Sequence, residues 1–140
     1  MFPQYAPQTG IVQTVKMVIQ EPRFAKCFFE HCLEGTPEGV GQRASAEQAA
    51  ALRDVLDAMI DHAAGAPFAE HRLKKLSGGK EASACALSPS GSDRWLAALM
   101  ATFGELAPAL ADKERARIRS IYLAQVEHFI ELCATHRPPE

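Results

Sequence analysis

Leu52, Val55, Leu56, Met59 and Ile60 recur at i, i+3, i+4, i+7 and i+8. That spacing lays five apolar side chains along one face of a helix and cannot serve a strand, whose side chains change face at every residue. Ser45 and Gln48 stand just ahead of the run at capping-box spacing, and Gly65 follows it as a stop. The same period governs the rest of the chain. Ile11, Val15, Val18 and Ile19 form one apolar face, and Pro22 separates it from a second helix running to about Leu33 with Phe24, Cys27, Phe28 and Cys32 on its stripe. Gly35 closes that helix, Thr36 and Pro37 open a short turn, and Gly39 to Gly41 form a corner.

Pro67 begins a shorter helix containing Phe68, His71, Leu73 and Leu76, which Gly78 and Gly79 break. Beyond the polar stretch from Ser88 to Ser92, Trp95, Leu96, Leu99, Met100 and Phe103 define another helix, ended by Pro108. Asp112 is placed to cap a long last helix with Ile118, Ile121, Tyr122, Val126, Phe129, Ile130 and Cys133 on one face. No segment sustains a period of two, and no repeat or long heptad run is present, so the expected fold class is all-α with about six to seven helices.

At 140 residues the chain has room for one core. Residues 1–9 read as a flexible arm, 10–135 as the helical domain and 136–140 as a tail. Fifteen basic residues against 17 acidic ones leave a net charge of −2, with no basic stripe for nucleic acid. Charge interrupts every apolar run short of a bilayer span. Cys27, Cys32, Cys85 and Cys133 lack CxxC spacing, and the N-terminal residues lack a secretory pattern, so reduced thiols and a cytoplasmic location are expected.

The segment Pro22-Arg23-Phe24-Ala25-Lys26-Cys27-Phe28-Phe29-Glu30 followed by Thr36-Pro37-Glu38, the run Glu47-Gln48 with Leu52-Arg53-Asp54-Val55-Leu56, and Leu87-Ser88-Pro89 followed by Trp95-Leu96-Ala97-Ala98-Leu99 together resemble the globin family. The likeness is to compact bacterial single-domain globins and covers roughly residues 10 to 133. It implies a globin-like helical fold in which Phe29 and Ala51 or Leu52 face the distal pocket, with Val55, Trp95 and Leu99 as further candidate lining. Counting back from Pro89 and Trp95 places the family's haem-ligating position at Lys80, where the chain has no histidine, and Arg43 or its neighbours stand where relatives carry a porphyrin-packing phenylalanine. Haem is therefore possible as a cofactor but not expected with conventional histidine ligation.

His71 and Lys80 are the candidate axial ligands if haem is held in another way; Lys80 would have to ligate as a neutral amine, against an ordinary pKa of about 10.4. Both also read as ordinary solvated side chains of a helix and a loop. His62 is placed near a helix end, where a protonated imidazole suits the dipole. Cys27, His31 and Cys32 offer metal-ligand types on adjacent turns, with Cys27 and His31 at i, i+4, but a structural zinc centre asks for four ligands. Ser77-Gly78-Gly79-Lys80 lacks the first glycine, the hydroxyl residue and the strand of a phosphate loop. No cysteine–histidine pair carries a nucleophile signature, so an enzyme is not expected.

The leading expectation is a globin-like sensory or regulatory binding module without conventional haem ligation or oxygen carriage. Its expected partners are a hydrophobic small molecule and a second copy docked through the last two helices. A haem protein ligated by His71 or Lys80 and acting in gas or redox sensing is the alternative, and a helical protein-interaction module the next.

Overall fold

The computed structural model describes residues 9–32, 46–79 and 91–135. Six helices run through them and no strand: α1 (Thr9–Ile19), α2 (Phe24–Cys32), α3 (Ala46–Ala63), α4 (Ala69–Ser77), α5 (Ser92–Leu106) and α6 (Asp112–Thr135). The fold is all-α, as the periodicity predicts. Among the described residues no helix is long and apolar enough to cross a membrane.

The apolar stripes meet in one core. α2 packs against α5, and α3 lies between α1 on one side and α4 and α6 on the other. Trp95, Phe24, Phe28, Phe103, Phe129 and Tyr122 are all fully enclosed. Aromatic edges order this interior: Phe28 meets Trp95 at 5.3 Å and 71°, and Phe24 meets Phe103 at 5.9 Å and 76°, the edge-to-face arrangement that the ring quadrupole favours. Tyr122 carries a hydroxyl into the core and donates it to the Leu56 carbonyl at 3.0 Å, so this buried donor is satisfied. Charge lines the outside of the same junction, where Lys16 of α1 reaches Asp61 at 2.7 Å and Arg72 of α4 reaches Asp57 at 2.8 Å.

Two connections set where the functional groups end up. At the end of α3 the chain turns through Gly65 at φ 79°, with Gly65 N–H donating to His62 O at 3.1 Å and Ala66 N–H to Asp61 O at 3.0 Å. That is a Schellman closure, and its left-handed residue is the glycine expected as the stop. The turn sends α4 back alongside α3. Phe68, however, does not join the buried stripe of α4: it precedes the helix in the left-handed conformation at φ 68° and is 84% exposed. The buried face consists instead of Ala69, Leu73, Leu76 and Ser77.

A non-glycine residue in that conformation is strained by roughly 1 kcal/mol. Phe68→Gly is therefore expected to raise stability by about 0.5–1 kcal/mol, read as a higher denaturant midpoint; a lower midpoint would mean that the exposed ring makes stabilising contacts. The last helix also differs in detail at its start. Asp112 is its first residue rather than its cap, and the return bond of the cap is made by Glu114 Oε1, which accepts from Ala111 N–H at 3.2 Å.

Candidate functional site

His62 lies in the last turn of α3, Glu70 in the first turn of α4 and His128 within α6. The Schellman turn folds Glu70 back over the end of α3, and α6 crosses both helices, so three groups distant in sequence meet at one junction. His62 Nε2 lies 2.8 Å from Glu70 Oε2, and His128 Nε2 lies 2.9 Å from both carboxylate oxygens. The two imidazoles stack with centroids 5.1 Å apart and planes 7° from parallel. Ligand-type atoms of all three residues lie within 4.8 Å of one another.

Gln125, buried one turn before His128 on α6, fixes one of the rings. His62 Nδ1 lies 2.8 Å from Gln125 Oε1, so Nδ1–H is the donor there. A ring that also donates at Nε2 is an imidazolium. A ring that donates only to Gln125 turns its Nε2 lone pair toward a carboxylate oxygen, an arrangement that a cation between them stabilises. Outer hydrogen bonds of this kind are how metal-binding histidines are commonly held.

Partial burial pushes the Glu70 carboxyl up, but the hydrogen bond from His128 and the positive charges of His128, His62 and Lys74 outweigh it and hold the group below the usual carboxylate range. Glu70 is thus a carboxylate at neutral pH. The side chains of His62, Glu70 and His128 are 30%, 41% and 32% exposed, so the group is in contact with solvent.

A second convergence involves two of the residues singled out on α2. Cys27 Sγ–H donates to Glu105 Oε2 at 2.8 Å, and His31 Nε2 lies 2.9 Å from Glu105 Oε1. Cys32 is buried, and burial raises its thiol while Arg94 opposes the shift; the third member of this group is Glu105 of α5 instead. Cys27 is pushed up to about 11, first by burial and then by its bond to Glu105, with the charges of Glu105 and Glu30 acting in the same direction and a hydrogen bond involving Thr102 against it. A nucleophile needs the opposite treatment, since a thiolate is the reactive form. At pH 7 Cys27 is expected to be alkylated by iodoacetamide at least about 100-fold more slowly than an unfolded cysteine. Peptide mass analysis reads the rate, and labelling at the unfolded rate would show that the thiol is neither shielded nor held protonated.

The other residues predicted from the sequence divide clearly. Phe29, Leu52, Val55, Trp95 and Leu99 are all buried and belong to one packed apolar cluster. His71 is exposed on α4, outside that cluster. Its helix turns Leu73 and Leu76 inward, and His71 falls on the opposite face. Lys80, Arg43 and Cys85 lie outside the described residues, as do the caps and corners read at Ser45, Pro37 and Gly39 to Gly41.

Glu70, Gln125, His128 and Glu105 carry no local signature. His62 and Glu70 bracket a glycine turn, but only the packing of α6 makes the pair a group of three. Comparisons with protein-family models, curated proteins and solved structures found no match to this chain.

Proposed function

We propose that this protein is a helical sensory or regulatory module that binds a divalent transition-metal ion through His62, Glu70 and His128. The observation that carries this reading is the convergence of two imidazole nitrogens and a carboxylate from three separate helices, all within 4.8 Å. Bonds of about 2.0–2.1 Å to a tetrahedral ion would put such donor atoms roughly 3.3 Å apart. The observed 2.8 and 2.9 Å separations therefore need only a small outward movement. Two imidazoles and one carboxylate suit Zn(II) or Fe(II) and leave coordination positions for water or a further ligand.

A regulatory role follows from the placement. The three donors belong to α3, α4 and α6, which pack on one another, so an ion bridging them favours one arrangement of these helices over others. In this reading the globin-like order of helices would be a scaffold whose response has moved from a haem to an ion at the α3–α4 turn. Calorimetric titration of Zn(II) into the Cys27→Ser protein tests it. One equivalent should bind, and His128→Ala in the same background should weaken binding by about 100-fold or more. Equal binding by both proteins would remove this function.

A further inference from the structure

We propose that Cys27, His31 and Glu105 form a second, separate metal site at the contact of α2 and α5, selective for thiophilic divalent ions of the Zn(II) class. Cys27 and His31 are four residues apart on α2, and that spacing stacks their side chains on one face. Glu105 reaches them from the last turn of α5, the helix packed against α2. It touches both, at 2.8 Å to Cys27 Sγ and 2.9 Å to His31 Nε2. The three donor atoms lie within 4.8 Å of one another.

The donor set differs from that of the first group in one decisive respect, because it contains sulfur. A thiolate directs selection toward Zn(II) and softer ions and away from Mg(II) or Ca(II), which prefer oxygen. The local field also favours a cation. Glu105 and Glu30 both place negative charge near the sulfur, which attracts an ion, although burial is the first cause that keeps the lone thiol protonated. Access is one-sided: Cys27 is buried at 8% exposure, while the side chains of His31 and Glu105 are 26% and 58% exposed, so an ion enters over His31 and Glu105 and keeps an outward position for water.

Binding replaces the thiol hydrogen bond. The Cys27 S–H bond breaks, its proton leaves to bulk water, the sulfur–metal bond forms, and Glu105 and the His31 nitrogen turn from each other to the ion. No oxidant or other reactant is needed. The site stands on α2 and α5 alone and does not depend on His62, Glu70 or His128.

Cobalt(II) titration of the His128→Ala protein separates the two sites, since only a cysteine ligand gives thiolate-to-cobalt charge-transfer absorption in the near ultraviolet. One equivalent of cobalt should develop that band together with intense visible bands of a four-coordinate ion, and added Zn(II) should abolish both. Cys27→Ser should eliminate the charge-transfer band. Glu105→Gln, a change at an exposed side chain that leaves the fold intact, should weaken cobalt binding at least tenfold with the band retained at saturation. Absence of the band in the His128→Ala protein, its survival in Cys27→Ser, or unchanged affinity in Glu105→Gln would each overturn the proposal. Loss of the other site would show instead as absence of the sulfur-independent binding in the Cys27→Ser protein.

Discussion

Trp95→Ala is expected to destabilise the protein by about 3–5 kcal/mol, a large part of the roughly 5–15 kcal/mol that holds an ordinary domain together. Trp95 is fully enclosed, meets Phe28 edge-on, and belongs to the cluster that joins α2, α3 and α5. Truncation removes that buried area and leaves a cavity that neighbouring rings fill only in part, because each is already held by contacts of its own. Thermal unfolding followed by circular dichroism should show a fall of roughly 10–15 °C. Trp95 is the chain's single tryptophan, so the parent's fluorescence reports the same core. A change under 1 kcal/mol would mean that the site collapses freely and that the core is not the close-packed interior described above.

The second large effect comes from metal. At a free Zn(II) concentration 100-fold above its dissociation constant, an ion that binds only the folded chain adds about 2.7 kcal/mol. The Cys27→Ser protein, which retains only the three-helix site, should therefore unfold roughly 8–12 °C higher with Zn(II) than with a chelator present. His62→Ala and His128→Ala, introduced together in that background, should abolish the increment. Both rings are partly exposed, so these changes spare the core and the metal-free midpoint should move far less. A zinc increment that survives the double substitution would place the stabilising ion elsewhere.

The all-α class was legible because burial imposes a period on the sequence. The five-residue run from Leu52 to Ile60 predicts α3, and every one of those side chains is buried. Gly65 was legible as a stop for a local reason, since the Schellman turn needs a left-handed residue there. Phe68 was not, because Pro67 marks a helix that would already contain it, while its backbone, set by the incoming turn, lies outside the helix. Lone apolar residues next to a helix start carry this ambiguity in general.

The candidate sites were legible only in part, again for a physical reason. Cys27 and His31 share a helix, so their i, i+4 spacing is visible in the sequence, whereas Glu105 arrives from 74 residues beyond His31 through the packing of α5 on α2. His62 was visible as a helix-end histidine. Its meeting with His128 depends on where α6 crosses α3 and α4, and no spacing within the chain encodes a crossing. His71 shares α4 with Glu70 but takes the exposed position next to it.

If His62 and His128 hold one ion between them, long-range nitrogen–proton correlation spectra of the imidazoles will show it ring by ring. The chain has five histidines, so the rings can be assigned one by one by substitution. In the Cys27→Ser protein, one equivalent of Zn(II) should shift Nε2 of His62 and His128 to metal-bound values while Nδ1 of His62 stays protonated toward Gln125, and His71 should not move. Spectra in which His62 and His128 are unchanged at saturating zinc, or in which His71 responds in their place, would show that these two rings do not hold the ion.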